Sequence, residues 1–135
     1  MSRLAEILPR MRLHEDLLAA NLAAAQTRLT TMLTQIEQLK FYQSEFKLPE
    51  TGPAIVCDAI IFSRRLSNSI SEFEAKVPLM TEELENSQTA WQQAHSKRKA
   101  LESLIHKQER EIARQKRRKE EKKAETLIAL RYSSH

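Results

Sequence analysis

Three features of this sequence predict an all-α chain: two long helices in an antiparallel coiled-coil hairpin, with the C-terminal helix longer and overhanging. Helix breakers are few and concentrated. The single Gly is Gly52, the four Pro are Pro9, Pro49, Pro53 and Pro78, and three of these five residues fall within Pro49–Pro53. Charged residues make up 30% of the chain and aromatics 5%. That composition suits long helices better than a thick globular core. Apolar residues also recur at alternating steps of four and three, the period of a coiled-coil seam.

The first seam reads Leu4, Leu8, Met11, Glu15, Leu18, Leu22, Ala25, Leu29, Met32, Ile36, Leu39, Gln43 and Phe46. Only Glu15 and Gln43 interrupt it. It predicts a helix over about 2–46, roughly 65 Å long at 1.5 Å per residue. Pro9 is accommodated if the helix proper begins there, because proline is tolerated in a first turn. Residues 47–53, Lys47-Leu48-Pro49-Glu50-Thr51-Gly52-Pro53, form the turn. Its prolines limit helix on both sides, and Gly52 can supply positive φ where the turn requires it. A connection this short returns the next helix antiparallel to the first.

The second helix is predicted over about 54–131, with a kink or short break near Pro78. Its seam reads Ile55, Ala59, Phe62, Leu66, Ile70, Phe73, Val77, Met80, Leu84, Ser87, Trp91, Ala94, Arg98, Leu101, Ile105, Gln108 and Ile112. The consecutive steps of four at Phe62, Leu66 and Ile70 predict a stutter, which unwinds the supercoil locally. It would turn Ser69 towards an outer edge. Residues 1–135 thus read as one coiled-coil domain.

The two helices are unequal. With the turn near residue 50, the N-terminus comes level with about residue 98, and everything past Lys99 overhangs. From Lys107 to Glu125 almost every residue is polar or charged. Such a helix reaches across solvent to a partner or is marginal alone. Pairs such as Lys107–Glu111, Lys116–Glu120 and Arg117–Glu121 add a few tenths of a kcal/mol each at most. Leu127, Ile128, Leu130 and Tyr132 then form an apolar patch with no facing seam in this chain, so a partner protein is expected to cover it.

The chemistry-bearing residues argue against an enzyme. His14, His95, His106 and His135 are scattered, and no Gly-rich phosphate loop exists. A two-helix hairpin also lacks a deep pocket. No cofactor, metal or small-molecule substrate is expected. Cys57 stands alone and is read as a small buried hydrophobe in a reducing compartment. No apolar run reaches the length of a membrane span, and Glu6 interrupts the N-terminus, so it does not read as a signal peptide. A cytoplasmic protein is the expectation. Between Lys97 and Glu125 lie twelve Lys and Arg against six Glu, a balance of +6 where the whole chain carries +4. Three readings stay open for this run: a solvated face, a dock for an acidic protein surface, and a nucleic-acid contact. The last is least favoured, since no aromatic is interleaved. Phe41, Tyr42, Phe46 and Phe62 read as packing near the turn or as an exposed binding patch.

These residues also carry a resemblance. Gln38-Leu39-Lys40-Phe41-Tyr42-Gln43-Ser44-Glu45-Phe46 is similar to the "L-x-x-Y-Q-x-E-Y" ending of the first helix in FliJ proteins of flagellar export. Phe62-Ser63-Arg64-Arg65-Leu66-Ser67-Asn68-Ser69-Ile70 is similar to the family's "F-I-x-x-L-x-x-A-I". The stretch from Trp91 to Glu102 resembles its "W-x-x-x-x-x-x-x-x-L" segment, and Arg117 to Glu125 its basic tail. The four motifs come in the family's order between about residue 30 and residue 131.

The resemblance implies a stalk of type III secretion, as in FliJ and its virulence counterparts YscO and SctO. The paired helix ends would insert into the hexameric export ATPase, and the other end would approach the export gate in the inner membrane. Combined with the charge pattern, it assigns ATPase contact to Leu4, Leu8, Arg110, Arg114, Arg117, Arg118, Lys122, Leu127, Leu130 and Arg131. By position it assigns gate contact to Phe62, Leu66, Ser69 and Phe73. Ser69 stands where flagellar members have Ala, Phe73 where they have His, and Ala124-Glu125 where they favour Asp-Glu. These departures tilt the expectation towards a virulence-type or symbiosis-type system. A monomer is expected when free, although the same heptads allow pairing between chains. The alternatives are an escort that binds secretion chaperones or substrates, and a basic coiled-coil nucleic-acid binder.

Overall fold

A computed structural model describes residues 3–50 and 52–134. The chain forms α1 (Arg3–Glu45) and α2 (Pro53–Ser133), with no strand among the described residues. The expected helix start at Ser2 lies outside the described residues, as does Thr51 in the turn. Phe46, placed in the first helix by its pattern, is the first residue beyond it. Gly52 has φ +80°, the conformation a side chain disfavours. The first backbone bond of α2 follows at once, Val56 N–H donating to the Gly52 carbonyl at 3.1 Å.

The chain divides into two compact units: Glu15–Gln93, and the segments Met1–His14 and Ala94–His135 together. In the first, residue numbers fall on α2 as they rise on α1. Arg28 pairs with Glu83 at 3.7 Å and Lys40 with Glu74 at 2.9 Å. Gln43 Nε2 donates to Ser67 Oγ at 2.8 Å, and the rings of Phe46 and Phe62 sit 5.6 Å apart. The two helices therefore form the antiparallel hairpin. Its core is thin: Ala25, Ile36, Leu66 and Ile70 are the buried apolar residues of this unit.

On α1 the expected seam positions from Leu4 to Leu39 are buried or half-buried, as is Phe46, while Gln43 is exposed. On α2 the seam differs at both ends. Val56 and Ser63 occupy it instead of Ile55 and Phe62, which are exposed. With Ser63 in place, the series Val56, Ala59, Ser63, Leu66, Ile70, Phe73 and Val77 alternates steps of three and four without interruption. The predicted stutter is thus absent. A polar residue holds the seam because the heptad is continuous, and the bulkier Phe62 is turned one position outward. Ser69 is half-buried. Cys57 is exposed rather than buried, because it sits beside the seam residue Val56 and faces out.

Both internal prolines lie within helix. α1 begins before Pro9 and α2 runs through Pro78 without a break. Thr81 lies one turn on, its hydroxyl bonded to the Val77 carbonyl at 2.8 Å.

In the other unit, Leu4, Leu8 and Met11 of α1 are half-buried, as are Ala94, Arg98 and Leu101 of α2. Ile105 is its buried apolar residue. The seam stops there. Gln108 and Ile112, expected to extend it, are exposed, and so is every described residue from His106 to Ser134. Among the described residues, none of that stretch is buried against α1.

Candidate functional site

Two sets of residues were singled out by sequence, and each lies in its own unit. The first set is Phe62, Leu66, Ser69 and Phe73. Leu66 is 8% exposed and belongs to the hydrophobic seam. Ser69 and Phe73 are half-buried, with the Lys76 ammonium 5.7 Å from the Phe73 ring. Phe62 alone of the four is open, at 55% exposure, with its ring tilted against Phe46. Phe41 and Tyr42 are exposed as well and meet edge to face at 6.4 Å. They border an open groove with Thr34, Glu37 and Gln38. The aromatic group near the turn is therefore split: Phe46 and Phe62 pack together, while Phe41 and Tyr42 face solvent.

The second set is divided between the helix pair and the single helix beyond it. Leu4 and Leu8 are half-buried on α1. Arg110, Arg114, Arg117, Arg118, Lys122, Leu127, Leu130 and Arg131 are all exposed on α2. Arg110 lines an open groove with Ser103, His106, Lys107, Glu109 and Ala113. Arg114 is held by Glu111 at 3.0 Å. The end of the helix presents Leu127, Ile128, Leu130 and Tyr132 to solvent, with Tyr132 81% exposed. None of these apolar side chains belongs to the core, and they follow directly on the basic run.

The sequence reading missed a polar cluster in the same unit. Arg12 Nη2 and Arg98 Nη1 both donate to Glu102 Oε1 at 2.9 Å. Arg98 Nη2 also lies 3.3 Å from His95 Nδ1. The step from Arg98 to Glu102 is a helical ion-pair spacing visible in the sequence; that Arg12 joins it needed the antiparallel register. The two guanidiniums, Arg12 foremost, hold the Glu102 carboxyl below the usual carboxylate range, against a smaller opposing effect of desolvation. Its pKa is thus lower folded than unfolded. The stability it contributes is whole above the ordinary carboxylate range and is lost as pH falls through the depressed value. Glu102→Gln is expected to unfold earlier than wild type in urea at pH 7, and the difference should narrow progressively as the pH falls below the ordinary carboxylate range. A gap that persists in acid would assign the effect to packing instead.

Glu15 on α1 is the buried charged residue. It is not left unsatisfied: among the described residues, no buried side-chain nitrogen or oxygen lacks a hydrogen-bond partner. Also among the described residues, no group of three His, Cys, Asp or Glu is arranged to hold a metal. No helix there is long and apolar enough to cross a membrane. What the chain offers is surface: an exposed aromatic group in one unit and a basic, apolar-ended helix in the other.

No curated protein and no solved structure matches the chain. The family model described as flagellar FliJ protein matches residues 1–133 of its 135. With two antiparallel helices and that match over nearly its whole length, the chain belongs to the FliJ family, whose role lies in flagellar and type III protein export.

Proposed function

We propose that this protein is the stalk of a type III export ATPase, a non-catalytic protein in the cytoplasm at the inner-membrane face of the secretion apparatus. The observation that carries the reading is the solvent-exposed α2 helix from His106 to Ser134. It is too polar to have a core of its own, basic along its length, and apolar at its end. A ring of subunits with acidic inner surfaces supplies charge partners for Arg110, Arg117, Arg118, Lys122 and Arg131, a further one for Arg114 beside Glu111, and cover for Leu127 and Leu130. Leu4 and Leu8 contribute where α1 meets that ring. Phe62 is the surface offered to the export gate. Leu66, Ser69 and Phe73 set the position of Phe62 through the seam.

The test is steady-state ATP turnover of the cognate export ATPase with and without this protein, read together with ATPase oligomer size. Turnover should rise several-fold and hexamers should be favoured; truncation after Lys99 should remove both effects. Unchanged turnover and size at saturating protein would sink the stalk reading. The exposed Phe41 and Tyr42 favour a second reading, an escort for secretion chaperones, and capture of those chaperones in place of the ATPase would select it.

A further inference from the structure

We propose that the Glu15–Gln93 unit contains a built-in flexible joint, formed where both helices weaken their backbone ladders at the same level. On α2 the cause is Pro78. It has no N–H to give the Glu74 carbonyl, and its ring crowds the preceding turn. On α1 the cause is a run of threonines. Thr27 bonds the Ala23 carbonyl at 3.0 Å, Thr30 bonds that of Gln26 at 2.9 Å, and Thr34 bonds that of Thr30 at 2.9 Å. Each hydroxyl competes for a carbonyl already used by the helix, which loosens and bends the backbone.

The coincidence of level is a tertiary fact. The ion pairs Arg28–Glu83 and Lys40–Glu74 bracket one stretch of the hairpin. Between them lie Thr30 and Thr34 on α1, and Pro78 and Thr81 on α2; Thr27 sits one residue outside, next to Arg28. In a two-helix rod each helix braces the other, so a weak point in one bends little while its neighbour stays stiff. Here the neighbour yields at the same place. The seam between the same brackets includes Met32 and Met80, both half-buried. Their unbranched side chains repack more readily than Leu or Ile. The brackets themselves are exposed and weak, so they limit sliding without locking it. The joint lets the two parts of the unit follow partners whose axes are not in line, and it goes beyond the stalk reading because it holds whatever those partners are.

The experiment places spin labels at Ser71→Cys and Gln92→Cys in a Cys57→Ser background. Both sites are exposed, and they lie roughly 32 Å apart along an uninterrupted helix. A second pair, Asn21→Cys and Gln38→Cys, reports on α1. Pro78→Ala is expected to narrow the first distance distribution, and Thr27→Ala/Thr30→Ala/Thr34→Ala the second. Combining all four changes should narrow both further. Amide exchange at residues 75–82 should slow ~10-fold while that at residues 59–70 stays unchanged. Equal widths in all variants would overturn the joint. So would protection that rises evenly along α2, which would mean only a more stable hairpin. Should Pro78→Ala disturb the fold, the threonine variant alone decides, because its sites are exposed.

Discussion

Changing Arg110, Arg114, Arg117 and Arg118 together to Glu is expected to abolish stimulation of the export ATPase while leaving the hairpin intact. All four are exposed, so no packing is lost, and Glu is nearly as good a helix former as Arg. Four reversals move the stretch from Lys97 to Glu125 from +6 to −2, two units for each residue. If each exposed contact is worth about 0.5–1 kcal/mol, the set removes on the order of 2–4 kcal/mol of binding, roughly 30- to 1,000-fold in affinity. Reversal adds repulsion on top of lost attraction, so the upper part of that range is expected. Circular dichroism should show the hairpin intact, with at most a modest loss of signal from the single helix, where Arg117→Glu places a like charge one turn from Glu121. In wild type, stimulation should decline as salt rises from 50 to 500 mM, because exposed charges are screened. A charge-reversed variant that stimulates as wild type does would remove the arm from the mechanism.

Leu66→Ala and Phe62→Ala should separate folding from binding, although the family pattern places both residues on one stripe. Leu66 is buried in a seam only two helices thick. Removing its three outer carbons should cost about 2–3 kcal/mol, the lower half of the usual range, since a thin seam collapses readily around the gap. Against a marginal two-helix structure this is a large fraction of the total. Phe62 is more than half exposed and loses chiefly its contact with the Phe46 ring, about 0.5–1 kcal/mol. Denaturation should therefore show a clear drop for Leu66→Ala and a small one for Phe62→Ala. In pull-downs of the gate's soluble domain, Phe62→Ala should lose binding while folded. Equal destabilisation by the two changes would mean that Phe62 is core, not surface.

Helix content, the turn and the inward stripe of α1 were all legible in the sequence, for one reason. Breakers and heptads act locally, and a 43-residue helix repeats its signal many times over. The basic arm was legible too, because charge is counted rather than folded. The family could be recognised from its motifs for a similar reason: they lie in order along the chain. The start of the α2 seam was misread, because Phe62 is more apolar than Ser63 and pattern reading follows hydrophobicity. Register decides otherwise: continuity with Leu66, Ile70 and Phe73 puts Ser63 inside and Phe62 out. Cys57 was misplaced for the same reason.

By itself the sequence determined that this chain is a helical hairpin with an unequal, basic second helix, since those properties follow from local preference and count. Only the tertiary structure decided which residues face one another. It brought Arg12 onto Glu102, 90 positions away, set Thr30 and Thr34 of α1 between the same ion-pair brackets as Pro78, and left Phe62 open while burying Leu66. Each of these depends on the sliding register of two helices, and a shift of one residue turns a helical side chain by about 100°. No single helix encodes that register; it is settled when the two seams, the turn and the cross-helix ion pairs are satisfied together.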